Sequence, residues 1–259
     1  MIEYFLDLNG VVQALIATIF TWLLTLLGSA LVFIFKNVKT SIMNILLGIS
    51  GGIMLAASFF SLILPALEMD KNWLMPCLGI FLGGVCLYYS EKVFKKISNY
   101  QEKFKNDSFK RSLFLIFAIT LHNIPEGLAV GVAFGSCATG HNEIISAVLL
   151  ALGIGIQNFP EGAAVSLPLK REGYSAAKSF FYGQLSGIVE PIAGIVGALL
   201  AINVKQILPF LLSFAAGAML FVVIMELIPE SQHNKNNALV TLFTLFGFII
   251  MMVLDVSLG

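Results

Sequence analysis

Two stretches carry the residues able to do chemistry: Leu121-His122-Asn123-Ile124-Pro125-Glu126-Gly127 and Ile156-Gln157-Asn158-Phe159-Pro160-Glu161-Gly162. Each sits inside an apolar run long enough to cross a bilayer. There a carboxylate, an imidazole or an amide costs roughly 2.5–3.5 kcal/mol or more unless something compensates it. On a helix, residues four apart stack on one face and residues three apart are close neighbours. His122 and Glu126 therefore converge with Asn123 beside them, and Gln157, Asn158 and Glu161 repeat the pattern. The proline of each copy cannot donate to the helix ladder and releases the carbonyl four residues earlier, adding an oxygen or a kink. Such a break persists at membrane depth only where it lines a cavity or is buried in protein. The expectation is a pair of facing, broken helices holding a cation at the midplane.

Further along, Glu190 in Ser186-Gly187-Ile188-Val189-Glu190-Pro191 supplies a third carboxylate at mid-depth. With Glu126 and Glu161 it brings three negative charges, nearly enough to balance two divalent cations. Met54 on the second apolar run is apolar filler or a thioether ligand. Glu68 and Asp70 mark an entrance or a solvated rim, and Glu226, Pro229 and Glu230, with Gln232 and His233, mark an exit path or an ordinary polar helix end. His141 reads as a solvated loop residue, while Gly127 and Gly162 allow close helix approach. Imidazole, amide oxygen and carboxylate suit borderline divalent transition metals better than magnesium or calcium, which prefer all-oxygen shells. Zinc is the first choice, and iron(II), manganese and cadmium fit the same donors.

The elements that must position these groups are membrane helices. Of the 259 residues, 58% are hydrophobic and 12% charged, with mean hydropathy +0.91, far from the roughly 25% charged of an ordinary soluble domain. The fold class expected is all-α, a single polytopic membrane domain over residues 1–259 with no nucleic-acid partner. A span needs about 20 apolar residues. That measure gives eight: Val11–Phe35, Ile42–Leu67, Trp73–Ser90, Leu113–Phe134, Ile144–Leu169, Ala176–Ile202, Ile207–Ile228 and Ala238–Leu254. The first continues too far to be a cleaved signal. With both termini outside, the inward loops hold thirteen Lys and Arg and the outward loops only Lys71 and Lys205. Residues Glu91–Arg111, charged and without apolar periodicity, are expected to form a flexible cytoplasmic linker. Spans four and five then run antiparallel with the same motif, as an inverted repeat in a 3+2+3 arrangement predicts. Cys77, Cys86 and Cys137 suggest neither a disulfide frame nor a thiolate metal site. An intramembrane metalloenzyme would need an open site and a general base, commonly as His-Glu-x-x-His, and that spacing is absent. A saturable carrier and a selective channel remain.

On the paired motifs and the Ser186–Pro191 stretch, the chain resembles the ZIP family of divalent metal transporters, in its prokaryotic GufA-type branch. The resemblance implies a binuclear site bridged by Glu126 and Glu161. His122, Gln157 and Met54 would lie on one metal, and Asn123, Asn158 and Glu190 on the other. It further implies that Ser61, Glu68 and Glu226 line the pathway, that the protein is a homodimer in the cell membrane, and that no resident cofactor is needed beyond the transported metal. Position 158 departs from close relatives of that branch: asparagine stands where they carry aspartate, removing a charge from the second metal position.

Overall fold

A computed structural model describes residues 5–35, 39–69, 73–100, 107–137, 141–171, 173–203, 205–232 and 237–258, and their regular structure is entirely helical. In chain order the long helical stretches are α1 (Gly10–Ile34), α2 (Thr40–Met69), α3 (Leu74–Tyr100), α4 (Asp107–Ser136), α5 (His141–Arg171), α6 (Ala176–Asn203), α7 (Leu208–Ser231) and α8 (Asn237–Leu258). Among the described residues seven helices are long and apolar enough to cross a membrane. The expected span Leu113–Phe134 is not one of them; it lies within the 30-residue α4, part of whose side chains fall outside the described residues.

Helix α1 inverts the soluble pattern. On α1 the buried face runs Ala14, Ala17 or Thr18, Thr21, Thr25, Gly28 or Ser29 and Val32, at steps of three and four residues, with Gln13 beside it. Its outer face is Ile16, Ile19, Phe20, Leu23 and Leu27. Lipid tails are as apolar as leucine, so burying leucine offers little drive for association. Small and hydroxyl residues that let backbones approach and form hydrogen bonds take the interface instead. The threonines satisfy themselves locally, as when Thr18 Oγ1 donates to the Ala14 carbonyl at 2.7 Å. Asn9 caps α1, its side chain accepting from Val12 N at 3.0 Å.

The most extensive packing pairs α4 with α6, α1 with α5, α3 with α7 and α2 with α8. Helices α1, α4, α5 and α6 thus form one group around the motif, and α2, α3, α7 and α8 form the other.

Two expectations are corrected. The stretch Glu91–Arg111 is not loop throughout, because α3 runs on to Tyr100 and α4 begins at Asp107. From Glu91 to Tyr100 there is no glycine or proline, and lysine and glutamate are good helix formers, so high charge there marks a solvated helix end. Lys92 lies over the Tyr88 ring at 5.8 Å, one turn back on that end. The motif helices are not broken either: α4 continues through Pro125, and α5 through Pro160 and Pro168. A membrane helix tolerates a lost donor when its neighbours satisfy the freed carbonyl. The irregularities lie elsewhere. α2 contains a π-helical segment at Ala57–Ile63, α7 contains one at Val223–Leu227, and α6 is interrupted at Ile188. At that interruption Ile188 N donates to the Leu185 carbonyl, three residues back. Pro191, which has no N–H to give, follows just inside the restarted helix. Glu190 is thereby set in a first helical turn, at the positive end of the helix dipole.

Candidate metal site

Asn123, Glu126, Gln157, Asn158, Glu161 and Glu190 are all buried, five of them at 0% exposure and Glu161 at 3%. α4 supplies the first pair, α5 the next three and α6 the last. Gly127 lets α6 close in: a Cβ added there would come within 2.8 Å of Glu190 Cα and 2.5 Å of its carbonyl oxygen, both backbone atoms. The Glu190 carboxylate can therefore lie against α4 beside Asn123.

The hydrogen bonds divide unevenly. Glu190 Oε1 accepts from Asn123 Nδ2 at 2.6 Å and from Asn158 Nδ2 at 2.9 Å. Glu190 Oε2 accepts from Asn158 Nδ2 at 3.0 Å and from the Thr21 hydroxyl. Asn158 Nδ2 also reaches the Thr21 carbonyl at 3.3 Å. Glu126 Oε1 accepts from Gln157 Nε2 at 2.6 Å. Six buried oxygens have no hydrogen-bond partner among the described residues: Asn123 Oδ1, Glu126 Oε2, Gln157 Oε1, Asn158 Oδ1 and both oxygens of Glu161. A buried polar atom left unpaired costs about 1–3 kcal/mol, so a cluster of six needs a physical reason. A cation supplies one, since every unpaired atom in the cluster is an electron-pair donor.

The three carboxylates lie close enough to repel one another electrostatically. Even so, among the described residues no three of His, Cys, Asp and Glu gather tightly enough to hold one ion. The donor set is therefore a mixture of carboxylates and amides. His122 belongs to α4 by its backbone, but its side chain lies outside the described residues, as does that of His141. Met54 is fully buried on α2. One turn earlier on that face, Ser50 Oγ donates to the Gln157 carbonyl at 3.2 Å, so the Met54 face of α2 is turned to the motif on α5.

The expected pathway residues separate. Ser61 and Glu68 line a cavity of about 510 Å³ at the end of the bundle where α2, α4 and α8 finish and α5 begins. Asp255 joins them, its Oδ2 accepting from Ser61 Oγ at 2.8 Å. The cavity lining includes Leu150, seven residues or ~10 Å of helix rise from Gln157. Glu226 is half-buried in the π-helical segment of α7 and is not among the cavity's lining residues. Glu230 is exposed, and Asp70 and His233 lie outside the described residues.

Three contributors escaped the sequence reading: Thr21, Ser50 and Asp255. The spacing of Gln13, Thr18, Thr21, Thr25 and Ser29 was the available signal for the first, since a hydroxyl stripe marks the protein-facing side of a membrane helix. For Asp255 the signal was an acid directly after the last apolar run, within reach of the membrane.

A family model described as ZIP Zinc transporter matches residues 105–255. The "Zinc transporter ZIP11" of Xenopus tropicalis is 38% identical, over 97% of this chain and 98% of its own length. The "Zinc transporter GufA" of Myxococcus xanthus is 34% identical over 95% and 98%. The "Zinc transporter ZIPB" of Bordetella bronchiseptica is 33% identical over 91% and 78%.

Proposed function

The chain belongs to the ZIP family of zinc transporters, and from that premise we propose that it carries zinc across the cell membrane into the cytosol by alternating access through the α4–α5 site. The family is one of transporters, not enzymes. The observation that carries the reading is the cluster of six unpartnered buried oxygens on the two motif helices. The proposed contacts of the ion are His122, Asn123, Glu126, Gln157, Asn158 and Glu161, with Met54 approaching from α2, while Glu190 of α6 stands behind Asn123 and Asn158. Iron(II), manganese and cadmium, which suit the same donors, are the proposed competitors.

Support for a moving element comes from the packing. The motif rides on the group α1, α4, α5 and α6, and each member's largest contact is inside that group. Sliding or rocking that group past α2, α3, α7 and α8 would carry the site from one side to the other. An inverted repeat of eight spans is supported by two correspondences. Exchanging the first three helices with the last three, and α4 with α5, turns the α1–α5 pair into α6–α4 and the α2–α8 pair into α7–α3. The same exchange matches the π segment of α2 to that of α7. The charge bias supports both termini lying outside, and in that orientation the Ser61–Glu68–Asp255 cavity opens outward as the entrance. A homodimer completes the proposal.

The test is zinc uptake by proteoliposomes holding the purified protein. Uptake should saturate with zinc, because a carrier turns over a bound ion; flux that rises without limit would indicate a channel instead. Carboxylate and imidazole ligands bind metal only when deprotonated, so protons compete for the same lone pairs. Uptake should fall as the pH is lowered from 7.5 to 5.5, and a flat profile with intact protein would count against the site.

A second expectation concerns the entrance. Asp255→Asn keeps the shape and the bond to Ser61 but removes one of two carboxylates from the cavity. The half-saturating zinc concentration should rise several-fold at low salt, with maximal rate little changed. An unchanged value would place Asp255 off the route.

A further inference from the structure

The two halves of the motif are not equivalent, and the difference bears on how many ions the site holds. Glu190 is saturated: Thr21, Asn123 and Asn158 present donors to both of its oxygens. Among the described residues Glu161 has neither oxygen paired, and Glu126 has one oxygen without a partner. An ionised carboxylate accepts and cannot donate, so an asparagine beside it must turn its nitrogen inward. Asn123 and Asn158 both do so. Each amide then holds its oxygen on its other arm, and those two oxygens are among the unpartnered six.

A cation bound directly to Glu190 would have to displace these donors, and the amides would have to turn over to bring their oxygens to it. No such rearrangement is needed at Glu126 and Glu161. Net charge alone does not choose: three carboxylates leave one negative charge with one divalent ion and one positive charge with two. The hydrogen bonds do choose. With one ion the charge left over sits on Glu190, where Thr21, Asn123 and Asn158 already solvate it, whereas a second ion would rest on Glu190 with neutral amides around it, since position 158 is asparagine.

Taking the transport reading as its basis, we propose that this chain holds one divalent cation at a time, between Glu126 and Glu161, with the Asn123 and Asn158 carbonyl oxygens turned toward it. In this arrangement Glu190, steadied by Thr21 on α1, is a positioning residue that fixes both amides. The device is a carboxylate outside the ligand shell that orients the ligands and raises their basicity: a hydrogen bond accepted from an amide N–H pushes electron density onto its oxygen. It makes α1 part of the site through a hydroxyl and a carbonyl, although α1 contributes no ligand. Thr21 carries both functions at once, since its carbonyl also takes an N–H from Asn158.

The experiment counts zinc. Purified full-length protein in lipid nanodiscs is equilibrated with zinc, and bound metal per chain is measured by elemental analysis together with the dissociation constant. Wild type should bind one zinc per chain. Glu190→Gln and Thr21→Val should still bind one, with affinity weakened about tenfold, the scale seen for lost outer-shell partners. Thr21→Ser, which restores the hydroxyl, should recover wild-type affinity, a rescue that packing at position 21 would not produce. Asn158→Asp should bind two, because it returns a carboxylate to the Glu190 half. Two zinc ions per wild-type chain, with one lost in Glu190→Gln, would overturn the proposal, as would wild-type affinity in Thr21→Val. A wild-type count of two in protein that transports zinc defeats this inference alone, whereas protein that neither binds nor transports zinc defeats the function itself.

Discussion

Proteoliposomes carrying Glu126→Ala or Glu161→Ala should take up zinc at the protein-free background, while wild type beside them accumulates it. The reason is electrostatic. Both carboxylates are buried, and the metal they would face carries two positive charges. Removing one partner from a buried charge pair costs about 3–5 kcal/mol, because the remaining charge is left uncompensated in a medium that cannot solvate it. That corresponds to roughly a 10²- to 10⁴-fold loss in affinity. Glu126→Gln and Glu161→Gln keep the volume and should fail almost as badly, which separates charge from packing. Ser213→Ala, on α7 and hydrogen-bonded only to its own helix at the Pro209 carbonyl, serves as a buried control and should transport normally. Wild-type flux in the two glutamate variants would remove the site from α4 and α5.

The next largest effect is expected where two helices meet without side chains between them. At Gly131 on α4 an added Cβ would lie 2.8 Å from the Gly194 carbonyl carbon and 2.9 Å from its Cα. Those are backbone atoms of α6 and have no rotamer to change. Gly131→Val should therefore wedge α4 from α6, at the upper end of the roughly 1–3 kcal/mol that overpacking costs. For a chain of this size that lowers the melting midpoint by about 6–12 °C, and a thermal shift assay on purified protein would read it. Because Glu190 rides on the same helix, zinc affinity should fall with it. Gly51→Ala supplies the contrast: its nearest neighbour, Leu227 Cβ, is 3.8 Å away, an ordinary contact, and no shift is expected. Equal melting of the two variants would show that the α4–α6 contact yields more readily than its geometry implies.

The sequence by itself determined the membrane class, the helical fold and the paired motif that marks the family. All of these follow from local rules: apolar length sets a span, the helical period sets which residues share a face, and an ionisable group in lipid must have a partner. His122 and Glu126 are four apart whatever the rest of the chain does, and so are Gln157 and Glu161. Local rules also misled where two of them competed. Charge points to disorder at Glu91–Arg111, although α3 and α4 extend into it, and proline points to a break at Pro125 and Pro160, where helices continue. What the tertiary structure alone decided is which partner each polar atom takes. Thr21 and Glu190 are 169 residues apart, and Ser61 and Asp255 are 194 apart. No spacing rule joins them, because hydrogen bonds across helices depend on which faces the packing turns together. The same packing saturates Glu190 and leaves Glu161 without a partner among the described residues, a difference between two glutamates each next to a proline that only their neighbours in space could create.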